Sequence, residues 1–94
     1  MRILWLRKAL RNLDEEGAYL AQQSPQAARL FVETVNSSVN RLAEYPAMGR
    51  PGRVAGTREL VLPDFPYRIP YRIRDNAVEV LRIFHASRKP PIRG

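Results

Sequence analysis

The apolar residues of this chain change their spacing once. Up to about Leu42 they recur every three or four positions, the period of one helix face. From Arg58 onward they recur every second position, the period of one strand face. A chain with one such switch must lay its helices on its sheet, because each element has a single apolar side to bury. The expected architecture is therefore α+β, a two-layer sandwich with helices on one sheet face.

The helical half is well punctuated. Ile3-Leu4-Trp5-Leu6 is an apolar run of strand length. Leu6, Leu10, Leu13, Gly17 and Leu20 then form one stripe, with Arg7, Lys8, Arg11, Asp14 and Glu15 on other positions. Ser24-Pro25 supplies an N-cap and a proline at the first helical position. A second stripe follows through Ala28, Phe31, Val35, Val39 and Leu42, ending near Tyr45 because Pro46 disfavours helix in the residue before it. Two facing stripes with a short connection predict an antiparallel helical hairpin.

Residues 46–57 hold two prolines, three glycines and two arginines, which predicts a basic loop. Beyond it, Arg58 to Leu62 reads as a strand and Pro63-Asp64-Phe65-Pro66 as a turn. Tyr67 to Arg74 alternates, with Tyr67, Ile69, Tyr71 and Ile73 on one face and Arg68, Pro70, Arg72 and Arg74 on the other. Asp75-Asn76 marks a turn before a strand from Ala77 to Phe84. Pro70 cannot donate to a ladder, so it requires an edge position or a local bulge. The order is strand, helical hairpin, then an antiparallel meander. One sheet face is left partly open, and the arginines make it basic.

The 94 residues fit a single domain, 1–94, and an apolar fraction of 45% fits a folded chain. With no cysteine and one histidine, disulfide scaffolds, thiolate zinc sites, thiol nucleophiles and multi-histidine metal centres are excluded, and no cofactor is expected. The opening apolar run is too short for a signal peptide or a membrane span, so a cytoplasmic chain without membrane contact is expected.

The formal net charge is +7, and it is unevenly placed. Residues 1–47 carry six bases against five acids, while residues 48–94 carry ten against four. Only Lys8 and Lys89 are lysines. Arginine favours planar, bidentate contacts with carboxylate or phosphate, so the partner is either an acidic protein segment or a nucleic acid. Arg68 is read either as a phosphate contact or as the partner of Glu59 on a neighbouring strand. His85 is read either as a strand-end histidine bonded to its surroundings or as a proton-transfer group. Tyr67, Tyr71 and Trp5 are expected in the core.

Arg58-Glu59-Leu60, Tyr67-Arg68-Ile69-Pro70-Tyr71-Arg72 and Val80-Leu81-Arg82-Ile83-Phe84-His85-Ala86-Ser87-Arg88 together resemble the RelE/ParE toxin superfamily. The Tyr45-Pro46 hairpin end, with Met48-Gly49 after it, falls in the same order, so the likeness spans nearly the whole chain. The resemblance implies the RelE/ParE-like sandwich and the toxin of a type II toxin–antitoxin module. It also implies a cognate antitoxin that wraps a disordered segment around the toxin, with operator DNA reached only through that antitoxin. Coupled folding of an acidic segment onto a basic face makes such pairing physically sensible.

The superfamily divides by target. RelE-like members cut messenger RNA on the ribosome, while ParE-like members poison DNA gyrase without a catalytic constellation. For a nuclease, the resemblance nominates Arg68 at the phosphate, His85 as acid or base, and Arg88 as a further phosphate contact. This chain departs from that pattern. Residues 50–66 contain no lysine, and nothing aromatic follows Phe84. Val54 to Leu60 and His85-Ala86-Ser87-Arg88 look closer to the ParE branch, which makes gyrase the expected target and the ribosome with its mRNA the alternative. Arg58, Arg72, Arg74 and Lys89 are the candidates for contact with target or antitoxin.

Overall fold

A computed structural model describes residues 1–87 of the chain. Strand β1 (Arg2–Trp5) leads into helices α1 (Arg7–Gln23) and α2 (Pro25–Asn40), and a 3-10 turn at Arg41–Ala43 extends α2. Strands β2 (Arg50–Pro51), β3 (Arg58–Val61), β4 (Tyr67–Arg74), β5 (Ala77–Val80) and β6 (Phe84–His85) follow. The sheet order is β1-β5-β4-β3-β2, with β6 also paired to β4. Strands β2 to β5 form the expected antiparallel meander, but β1 joins β5 in parallel, so the sheet is mixed.

The hairpin forms as its punctuation requires. Ser24 Oγ accepts the Ala27 N–H at 3.1 Å, and Pro25 opens α2. Phe31, Val35, Val39 and Leu42 are fully buried against Leu60, Tyr67, Ile69, Tyr71, Val78 and Val80 of the sheet. The stripe of α1 differs from expectation at one position. Ala9 is the fully buried residue and Leu10 is 47% exposed, because the line facing α2 runs through Ala9, Leu13, Gly17 and Leu20. Gly17 brings α1 close to α2, where an added Cβ would meet the Val32 side chain at 3.9 Å.

Pro70 lies in the middle of a central strand, and its effect is local. Opposite it, the Leu81 N–H donates to the Pro70 carbonyl at 2.9 Å, but proline has no N–H to return. The expected strand from Ala77 to Phe84 is interrupted here, between β5 and β6. Tyr71 pairs with Val80 before the break, whereas Arg68 pairs with Phe84 and Tyr67 with His85 after it, a slip of one residue. This is a β-bulge, two residues opposed to one, of the kind Pro70 calls for. The Ile83 N–H, turned out of the ladder, donates to Asn12 Oδ1 of α1 at 3.1 Å, and Arg82 Nε donates to the same oxygen at 3.2 Å.

The 46–57 loop is irregular apart from β2, and it is anchored at its start. The buried Tyr71 hydroxyl donates to the Pro46 carbonyl at 2.7 Å and accepts the Gly49 N–H at 2.9 Å. These bonds tie the start of the loop to the sheet edge and pair two of its backbone groups. At the far end, Asp75 and Asn76 take φ of 52° and 58°, as a two-residue hairpin turn demands.

Candidate functional site

Side chains alternate along β4, which divides its residues between two environments. Tyr67, Ile69 and Tyr71 enter the core, while Arg68, Pro70, Arg72 and Arg74 occupy the uncovered face. Register brings Glu59 beside Pro70, Val61 beside Arg68, and Glu79 beside Arg72 on that face. Leu4 of β1 lies beyond Glu79, and Arg50 of β2 lies beyond Glu59.

The two glutamates organise the face. Glu59 is 5% exposed and Glu79 9%, so each carboxylate must be paired. Glu59 Oε1 lies 3.4 Å from Arg68 Nη1 and 3.9 Å from Arg50 Nη2. Glu79 Oε1 accepts from Arg72 Nε at 2.7 Å, and its Oε2 lies 3.7 Å from Arg74 Nε. Each buried acid thus holds one inner and one outer arginine. The Arg68 guanidinium also sits 5.8 Å above the Phe84 ring, within cation–π range.

The Glu79 carboxyl is held below its ordinary value of 4.5, first by the Arg72 hydrogen bond. Burial pushes the other way, and the charges of Arg74 and Arg72 add to the lowering. A folded pKa below the unfolded one contributes stability that is complete above the unfolded value and lost as pH falls through the folded value. The melting temperature of the native chain should therefore fall below pH 4.5 more steeply than that of Glu79→Gln. Equal slopes would show that this pair contributes nothing to folding.

His85 lies across the sheet from the arginines. It pairs with Tyr67 on the helix side, ring centroids 5.1 Å apart, and the Tyr67 hydroxyl donates to Glu16 Oε1 at 2.8 Å. The Ser87 N–H donates to His85 Nδ1 at 3.2 Å. Arg68 and His85 are thus not brought together. Arg88 and Lys89 lie outside the described residues.

Of the binding candidates, Arg72 and Arg74 stand on the open face. Arg58 faces the other way, and its Nη1 donates to the Gly49 carbonyl at 2.7 Å and the Ala47 carbonyl at 3.3 Å. It holds the loop, because its cross-strand neighbour is the buried Tyr71. Sequence reasoning passed over Glu79 and Arg50. Glu79 had a readable signal, a lone carboxylate in Ala-Val-Glu-Val. Arg50 had none, since its role depends on a two-residue strand inside a loop. Among the described residues, no cluster of three His, Asp or Glu side chains could hold a metal ion, and no helix is long and apolar enough to cross a membrane.

Comparison with known proteins gives a consistent set of likenesses. Residues 3–90 match the family model described as the ParE toxin of the type II toxin–antitoxin system parDE. The chain is 53% identical over 90 residues to the candidate toxin Y4kP of Sinorhizobium fredii, covering 96% of this chain and 93% of that protein. It is 38% identical over 87 residues to Toxin RelE2 of Caulobacter vibrioides, covering 93% and 97%. Among solved structures, a chain of the chromosomal ParDE toxin–antitoxin system of P. aeruginosa superposes with a TM-score of 0.82. That chain is 30% identical, with 93% of this chain and 97% of that one covered.

Proposed function

Because the chain belongs to the ParE toxin family of type II toxin–antitoxin systems, we propose that it arrests growth by binding DNA gyrase, with no bond-breaking chemistry of its own. We also propose that a cognate antitoxin neutralises it by covering the arginine face. The separation of Arg68 from His85 by the sheet carries the first part of this reading. A ribonuclease of the superfamily type needs its phosphate contact and its acid or base around one phosphodiester. Arg68 is instead engaged with Glu59 and Phe84, and His85 with Tyr67. The kinship with the ParDE system of P. aeruginosa supports an antitoxin partner. So does the chemistry at the β3 edge of the face, where a cleft of about 410 Å3 sets Arg41, Arg50 and Glu59 beside Met48, Leu60 and Pro63. Guanidinium next to apolar surface suits a protein segment.

Purified toxin added to gyrase and supercoiled plasmid should trap cleaved DNA–gyrase complexes, and induction in cells should cause filamentation and an SOS response. Arg68→Ala and His85→Ala should each keep toxicity to within about tenfold, whereas loss of a catalytic acid or base costs about 10²–10⁴-fold. The likeness to Toxin RelE2 favours the second reading, a ribosome-dependent mRNA endonuclease. Cleaved transcripts together with abolished toxicity in folded Arg68→Ala and His85→Ala would establish that reading instead.

A further inference from the structure

Past Asn40 the chain tightens into the 3-10 turn at Arg41–Ala43, and Glu44 closes it through an N–H donated to the Arg41 carbonyl at 3.2 Å. Residues three apart in such a turn project to the same side. Arg41 and Glu44 therefore share one side of the surface, and both are exposed. They do not satisfy each other. Among the described residues, neither side chain has an ion pair or a hydrogen bond. Nor does Glu44 serve the helix, since a carboxylate at a helix C-terminus opposes the macrodipole.

The surface next to this pair is apolar and fixed. Arg41, Tyr45, Pro46, Ala47 and Met48 line an open cavity of about 520 Å3. Tyr45 is 56% exposed and Met48 37%. The Tyr45 hydroxyl, unlike those of Tyr67 and Tyr71, has no hydrogen-bond partner among the described residues. The cavity wall is held from beneath, with Tyr71 bonded to the Pro46 carbonyl and Arg58 to the Ala47 carbonyl. A surface already fixed in this way loses little further freedom when it is covered.

A cation and an anion on one side, each without a partner, fit a surface that carries the two charges in the opposite order. A polyanion such as nucleic acid would meet Glu44, and a uniformly basic surface would meet Arg41. A second copy of this chain supplies the complement by symmetry. We infer that the segment from Arg41 to Met48 is an isologous interface between two copies, with the two-fold axis passing between Arg41 and Glu44. Each Arg41 pairs with the partner's Glu44, and each Tyr45 covers the partner's cavity. The patch is small, so the dimer is weak, with a dissociation constant on the order of 10–100 µM. Arg41 also borders the cleft beside β3, so a segment entering that cleft would compete with the second copy.

Sedimentation velocity of the purified whole chain at physiological ionic strength, from about 5 to about 500 µM, should show a reversible monomer–dimer equilibrium. Arg41→Glu and Glu44→Arg should each weaken it at least about tenfold, because like charges then face each other twice across the axis. Net charge alone predicts the reverse for Arg41→Glu, which makes the chain less basic. The two single variants, mixed, should form a heterodimer within about threefold of the native affinity. The double exchange, Arg41→Glu with Glu44→Arg, should restore the homodimer, while Tyr45→Ser should weaken it. Arg29→Glu, the same charge change on an exposed position of α2, should leave the equilibrium as it is, with thermal melts confirming every fold. A chain that stays monomeric throughout, or single exchanges that leave the dimer intact, would overturn the inference. So would folded exchanges that fail to recover association when mixed or combined, or an equal loss in Arg29→Glu. Neither gyrase nor antitoxin enters this measurement, so its outcome is independent of the toxin reading.

Discussion

Phe31→Ala should lower stability by about 3–5 kcal/mol, the usual result of removing a buried aromatic ring. Phe31 is fully buried, with ring centroids 5.6 Å from Phe65 and 4.8 Å from Tyr67. It is the point where α2 meets both the turn before β4 and β4 itself, and no small rearrangement would refill the space. A domain of this size holds only about 5–15 kcal/mol in total. The midpoint of thermal unfolding should therefore fall by on the order of 20 °C. A fall of only a few degrees would mean that the hairpin and sheet are held together elsewhere. If an antitoxin binds the folded face, its addition should recover part of the loss by mass action.

Gly49→Ala should cost about 1–3 kcal/mol despite adding a single methyl group. A Cβ there would lie 2.7 Å from the Tyr71 ring and hydroxyl and 2.8 Å from the Glu59 carbonyl. None of these can move freely, because Tyr71 is buried and the Glu59 carbonyl belongs to β3. The same displacement would stretch the Gly49 N–H bond to Tyr71 and the Arg58 bond to the Gly49 carbonyl. Tyr71→Phe with Gly49→Ala should therefore destabilise by less than the sum of the single changes, since both act on one joint. Urea unfolding of the four proteins measures this coupling. Strict additivity would show that the methyl group is accommodated away from Tyr71.

Most of the fold was legible because local and tertiary preferences agree. Ser24-Pro25 caps and starts α2, Asp75-Asn76 turns the hairpin, and the alternation of β4 separates core from arginine face. Leu10 was misplaced because apolar spacing cannot tell a stripe's centre from its margin, and the smaller Ala9 fits where the helices approach. The parallel partner of β1 was not legible at all. Nothing in four residues specifies a strand that arrives seventy-five positions later. For the site, Arg68 with Glu59 could be anticipated from strand neighbours, and so could the basic character of the face. The placing of His85 could not, because it depends on a slip between β5 and β6 that leaves no mark in the apolar pattern.

That slip has a chemical consequence. In an unbroken ladder continuing from Tyr71 and Val80, His85 would fall opposite Pro66 and project to the same side as Arg68. The extra residue near Arg82 instead turns Phe84 toward Arg68 and His85 toward Tyr67. Taking that residue into a regular ladder, instead of bulging it out, would return the imidazole to the guanidinium side. Whether this surface presents an acid–base group or only a cation over an aromatic ring is thus set by whether one residue is bulged out of the ladder, opposite a proline that cannot donate a hydrogen bond.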